Sequence, residues 1–174
     1  MQRRILVRKL FVFPALLMLL SSLAMAQEKT YEVPGAFSFQ YADGWTKAPR
    51  QGRASGELDW LVNTANPRAD FHPVLAHADF SYDDWLRRTL HQATPEKALT
   101  AKTEFVTTSG VKGYKLTWNI KPPNAPESIH YTYLFPGKDN SQLQLNARVP
   151  VADASKFEPT FDSFAKSLTL APGK

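Results

Sequence analysis

The sequence predicts an α+β fold, an antiparallel β-sheet with helices packed against it as an α+β sandwich, and three observations carry that expectation. Four strand-like segments follow one another between residues 102 and 149, each separated from the next by turn-forming residues. A capped helix precedes them at Ser81, and an amphipathic helix follows them from Phe157 to Leu168. A run of strands bracketed by helices favours a sheet with helices on its faces over a parallel α/β arrangement.

Ala36–Tyr41 alternates, with Phe37, Phe39 and Tyr41 on one side, and Asp43-Gly44 turns the chain into Trp45. Residues 46–56 are poor in large apolar side chains and read as a loop, followed by an apolar strand over 58–62. Val74, Ala76, Ala78 and Phe80 alternate as a further strand. At Ser81 the hydroxyl can accept from an early backbone N–H while Asp84, a shorter stand-in for Glu, reaches back. The helix predicted over 82–92 buries Trp85, Leu86 and Leu90.

Strands over 102–108 and 114–120 are joined through Ser109-Gly110-Val111-Lys112-Gly113. A proline-rich loop, Lys121 to Pro126, leads to a third strand over 128–135, and Pro136-Gly137-Lys138-Asp139-Asn140 turns it into a fourth over 142–149. Phe157, Phe161, Phe164 and Leu168 then form one apolar helical stripe. Pro159 lacks an N–H, which a first turn tolerates, so the regular helix is predicted to start near Glu158. Leu168–Leu170 is expected to close the fold as a short extended tail.

Residues 1–26 have the form of a signal peptide. Arg3, Arg4, Arg8 and Lys9 precede an apolar stretch from Leu10 to Leu20, and Ala24-Met25-Ala26 offers small residues to a signal peptidase. The stretch is shorter than the roughly 20 apolar residues a bilayer span needs, and Pro14 interrupts it. Export into the periplasm of a Gram-negative cell, or secretion, is the expected destination, with residues 27–174 forming a single domain. Four of the 21 basic residues and none of the 16 acidic ones lie in the leader, so residues 27–174 hold 17 against 16. That near-neutral balance removes the main argument for a nucleic-acid partner. The chain has no cysteine, which excludes lipoprotein acylation, disulfides, thiol catalysis and thiolate metal sites.

Four pieces of this sequence carry a resemblance. They are Phe37-Ser38-Phe39-Gln40-Tyr41-Ala42-Asp43-Gly44-Trp45, the capped helix at Ser81, Thr108 to Tyr114 between paired strands, and the closing helix from Phe157 to Ser167-Leu168. Together they resemble the PsbP/Mog1-like superfamily, including DcrB-type exported domains, over nearly all of residues 27–174. The resemblance implies that fold and a protein that acts by binding, as members of the superfamily mainly do. It supplies no catalytic motif, since the matching residues are turn and core positions.

The residues themselves yield few candidates for chemistry. Asp70, His72, His77 and Asp79 are the densest group of metal-ligating types. On one strand His72 and His77 face opposite sides, roughly 16 Å apart, so solvent-facing polar residues are the expectation and no metal is assigned. His91 falls on the exposed side of the first helix, and His130 lies on a strand beside Tyr131 and Tyr133. Neither has an activated serine at an informative spacing, and glycine-rich nucleotide motifs are absent. Glu57 with Asp59, and Asp83 with Asp84, are sequence neighbours that need not face each other across a groove. Lys47, Arg50 and Arg53 are expected to be solvated, and Trp45, Trp60, Trp85 and Trp118 to pack in the core rather than line a cleft.

The expected function is therefore that of a non-enzymatic, cofactor-free accessory protein that docks a protein or an envelope component. The alternative is a periplasmic binder of a small molecule or metal ion.

Overall fold

The computed structural model describes residues 28–49, 57–77, 79–137 and 141–172, so the predicted leader, Arg50 and Arg53, Ala78 of the strand expected over Val74–Phe80, and Lys138-Asp139-Asn140 of the expected turn lie outside the described residues. In chain order the strands are β1 (Lys29–Val33), β2 (Phe37–Tyr41), β3 (Trp45–Ala48), β4 (Trp60–Asn63) and β5 (Asp70–His77). Helix α1 (Tyr82–Leu90) precedes β6 (Lys97–Val106), β7 (Lys112–Ile120), β8 (Ser128–Pro136) and β9 (Ser141–Pro150). A 3-10 turn at Val151–Asp153 leads into α2 (Ala154–Lys166), and β10 (Thr169–Leu170) follows. The main sheet has seven strands in the order β3-β4-β5-β9-β8-β7-β6, and β1-β2-β10 form a second, three-stranded sheet. Every pairing in both is antiparallel, and the fold is α+β.

Period-two alternation sends each strand's side chains to two different environments. On one face Phe71, Tyr131, Tyr133, Phe135, Leu143, Leu145 and Val149 are buried beneath α2 and the small sheet. The stripe Phe157, Phe161 and Phe164 of the closing helix is seated there, followed by Leu168 just past its C-cap. Trp45 meets Phe157, Phe161 and Phe164 edge-on, with ring centroids 6.0, 5.7 and 5.3 Å apart. Each such fully buried ring contributes roughly 1.5–3 kcal/mol of apolar burial, so this layer dominates stability. On the opposite face α1 covers β6, β7 and β8 with a smaller cluster of Leu86, Leu116, Trp118 and Leu134.

One charge is buried in the α2 layer, and it is fully paired. Lys115 Nζ lies 2.6 Å from Glu158 Oε1 and 2.7 Å from Asp162 Oδ1. The Tyr133 hydroxyl donates to Asp162 at 2.7 Å and the Tyr131 hydroxyl to Glu158 at 3.3 Å. Burial, followed by these carboxylates, pushes both phenols well above their ordinary range.

Several expectations are corrected. Trp45–Ala48 is an edge strand rather than the start of a loop; β4 supplies the hydrogen bonds that its own sequence does not advertise. The fifth strand begins at Asp70 and runs through Pro73, where the pairing with β4 has already ended at Phe71 and a missing N–H is tolerated. Asp84 places its carboxylate on the Ser81 hydroxyl (3.0 Å), while Ser81 accepts from the Asp84 N–H (3.2 Å). Helix α2 starts at Ala154, which puts Pro159 inside it. Pro159 is exposed and off the apolar stripe, so burial of the stripe outweighs one lost backbone hydrogen bond. Strand β1 and the small sheet are additions to the predicted architecture. There β2 pairs with β1 on one side and β10 on the other, and its Gln40 N–H donates to Ser167 Oγ at 2.8 Å.

Candidate functional site

The half of the sheet formed by β4, β5 and β9 carries no helix on the α1 side among the described residues, and its side chains there are mixed: Trp60 and Val62 on β4, Asp70, His72, Val74 and Ala76 on β5, and a polar row on β9. On β9 the inward residues Leu143, Leu145, Ala147 and Val149 alternate with Gln142, Gln144, Asn146 and Arg148. Register aligns these with their neighbours in rows. Asp70, Arg148, His130 and Trp118 form one row, and His72, Asn146, Thr132 and Leu116 the next.

The first row centres on an ion pair. Asp70, only 1% exposed, accepts from Arg148 Nε at 2.8 Å and Nη2 at 2.5 Å, both on Oδ2. Arg148 is exposed, and its Nη1 carries no hydrogen bond among the described residues. A carboxylate so deeply buried is sustained by its partner, and in return it fixes the guanidinium in one orientation. The Arg148 Cζ sits 5.6 Å from the centre of the Trp60 ring, and Trp60 stacks on His72 with centroids 4.3 Å apart at 13°. Asp70 Oδ1 and His72 Nδ1 are buried 3.5 Å apart, too far for a hydrogen bond, and neither has a hydrogen-bond partner among the described residues.

His130 is the most perturbed group here. Burial, then the Arg148 charge, push its imidazole down to about 4; Asp70 opposes the shift, while His72 and Lys97 add to it. Its Nε2 lies 3.1 Å from Ser128 Oγ. That contact pairs a hydroxyl with an imidazole, but a base of such low pKa activates a hydroxyl weakly at neutral pH. No carboxylate orients the other ring nitrogen among the described residues. Asn146 Oδ1 accepts from Gln144 Nε2 at 2.6 Å and from Thr132 Oγ1 at 3.2 Å, which leaves the Asn146 amide N–H groups directed elsewhere.

Two cavities meet at this row, and both are lined by His130 and Arg148. One, of about 320 Å³, is polar and includes Glu57, Trp60, His72, Gln144 and Asn146. The other, of about 450 Å³, has a rim of Pro67, Pro122, Pro126 and Pro150 with Arg68, Glu127 and Ser128. These sizes fall in the range of small-ligand sites.

Of the residues singled out in the sequence, Asp70 and His72 come together on this face, and the expectation that they face solvent is corrected: Asp70 is buried by its pairing with Arg148 and His72 is half-buried under Trp60. His77 is exposed at the far end of β5 on the opposite side, and Asp79 is exposed beyond the strand. No three His, Asp or Glu side chains converge at metal-holding distances among the described residues. Glu57 lines the polar cavity without Asp59, while Asp83 and Asp84 lie in the first turn of α1. His91 caps α1 near Arg87, and Lys47 lies over the Tyr31 ring. Trp45 and Trp118 are core residues and Trp85 packs against the α1 cluster, whereas Trp60, against expectation, lines the polar cavity. Arg148, Gln144 and Asn146 were not among the sequence candidates. The polar alternation of Gln-Leu-Gln-Leu-Asn-Ala-Arg-Val on a central strand is the signal that marks them.

No protein-family model matches the chain, and no curated protein matches it. Its fold matches several solved structures. LpqN of Mycobacterium tuberculosis, described as involved in cell envelope biogenesis, aligns with a TM-score of 0.61 at 18% identity over 85% of this chain and 92% of that one. The cyanobacterial PsbP protein CyanoP of Synechocystis aligns with a TM-score of 0.59 at 10% identity, over 86% of this chain and 96% of that one. A Pseudomonas aeruginosa protein described as a putative regulator gives 0.53 at 15% identity, over 84% and 99%. At these identities the likeness is one of architecture, and the chain has the PsbP/Mog1-like fold.

Proposed function

We propose that this PsbP/Mog1-like domain is a non-enzymatic accessory protein that works outside the cytoplasm by binding an envelope component in the groove beside Arg148. The observation that carries the reading is the buried Asp70–Arg148 pair, which holds an exposed guanidinium between two adjoining cavities. A structural ion pair on a closed face would bring neither cavity nor half-satisfied neighbours. The leader-like residues 1–26 and the description of LpqN as an envelope-biogenesis protein point the same way. No helix among the described residues is long and apolar enough to cross a membrane.

A photo-crosslinking residue placed at Gln144, in the groove, tests this. It should give a defined adduct with envelope material that Arg148→Glu abolishes, whereas the same residue at Lys102, on the outer strand β6, should give none. Equal labelling at both positions would overturn the reading, as would reaction of Ser128 with a serine-directed phosphonate probe in a His130-dependent way. The second reading, a binder of a small molecule, is favoured by the size of the 450 Å³ cavity.

A further inference from the structure

We infer that the proline-rimmed cavity binds a small organic carboxylate, its anionic group held at Arg148 and Arg68 and its apolar body against the prolines. The inference rests on the groove being the binding surface, and it names what that surface selects.

Charge is the first argument. Asp70 cancels Arg148 formally but uses only Nε and Nη2, on a single carboxylate oxygen, so Nη1 retains its donors. Arg68 is exposed and its side chain forms no ion pair among the described residues. The one acidic residue lining this cavity, Glu127, is paired with Lys121 at 3.0 Å. The lining thus carries about one uncompensated positive charge, which matches a monoanion and falls short of a dianion. A guanidinium held from behind by a buried carboxylate offers its free edge without the loss of side-chain freedom that binding otherwise entails.

The rim supplies the second argument. Pro67, Pro122, Pro126 and Pro150 present rigid apolar surface next to the arginines. A bare inorganic anion makes no use of it, whereas a branched or aromatic carboxylic acid buries its hydrocarbon there.

His130 makes the binding responsive to pH. It is faced by Arg148 from β9, by Asp70 and His72 from β5 and by Lys97 from β6; Arg68 and Glu127 line the same cavity, and Glu57 lines the adjoining one with it. In the empty groove burial and the cations keep the imidazole neutral. A bound carboxylate adds a negative charge beside it and favours its protonation. Uptake of a proton on binding means that affinity rises as pH falls. If the bound imidazole regains a value of about 6.5, the gain from pH 8 to pH 5.5 is about tenfold.

The test is a ¹⁵N NMR titration of the purified protein with isovalerate and benzoate, their neutral amides, and inorganic phosphate, at pH 8 and pH 5.5. The two carboxylates should saturate shifts along β8 and β9, bind about tenfold tighter at pH 5.5, and outcompete both the amides and phosphate. Arg68→Gln should weaken them several-fold. Arg148→Gln combined with Asp70→Asn, which leaves no bare buried charge, should weaken them at least tenfold. His130→Gln should retain binding at pH 8 and lose the pH response. Amides binding as well as acids, phosphate binding more tightly than either acid, or arginine variants with unchanged affinity would overturn the inference. Absence of carboxylate binding alongside a Gln144 adduct that still depends on Arg148 would defeat this inference and leave the docking reading standing. Loss of that adduct's Arg148 dependence would defeat the docking reading itself.

Discussion

The two faces of the seven-stranded sheet each bury a charged side chain in an ion pair, and they do so to opposite ends. Beneath α2, Lys115 is held by two carboxylates, which in turn accept from two tyrosines, and the cluster closes on itself. On the other face Asp70 is held by one arginine, one of its oxygens and a histidine nitrogen are left without hydrogen bonds among the described residues, and two cavities open alongside. A satisfied polar network pins a helix to a sheet, whereas a half-satisfied one is stable only if something else is gained. The difference separates the face that holds the fold together from the face on which binding is proposed.

The largest effect that would sharpen this contrast lies in the apolar layers. Phe161→Ala should lower the unfolding free energy by about 3–5 kcal/mol, and Leu86→Ala, in the smaller α1 cluster, by about 2–3 kcal/mol. Urea denaturation at unchanged m-value measures both, and a reversed order would break the comparison. Next come the ion pairs. Arg148→Met strands a carboxylate that is 1% exposed and should cost about 2–4 kcal/mol. Lys115→Met leaves Glu158 and Asp162, which are 42% and 34% exposed, with water to fall back on, and should cost about 1–2 kcal/mol. Equal losses would mean that the open face is no more strained than the closed one.

The smallest effect is in the pH profile. His130 has a folded pKa of about 4 against an unfolded value of about 6.5. Between those values the unfolded chain takes up a proton that the folded chain refuses. Stability present above pH 6.5 is therefore lost as pH falls toward 4, at up to about 1.4 kcal/mol per pH unit. Comparing midpoints of wild type and His130→Gln from pH 7 to pH 4 isolates this slope; parallel curves would remove His130 from the account.

The strands from β7 to β9 and both helices were legible because their alternation, turns and stripe repeat over many residues. Strand β3 was not, since four residues at a sheet edge owe their conformation to β4 rather than to any pattern of their own. Pro159 misled for a related reason, because a local rule about the first turn yielded to the burial of a stripe set by the whole helix. At the site, Asp70 and His72 drew notice as ligand types, but their partners Arg148, Asn146 and His130 are supplied by other strands. Spacing along the chain cannot show a row that runs across three strands. The polar alternation of β9 was the clue available, a central strand that keeps one face wet.

The small sheet imposes an order on how the molecule is made. Gln40 of β2 is joined to Ser167, 127 residues later in the chain. At synthesis rates of about 5–20 residues per second, roughly 6–25 s separate the two. For that interval Tyr31, Phe37 and Phe39, which end as a stack of nearly parallel rings, belong to a hairpin whose second strand still lacks its β10 partner, and a two-stranded hairpin has little stability alone. Because β10 pairs with β2 across that span, truncation within α2 or β10 should leave the aromatic ribbon without its second strand neighbour.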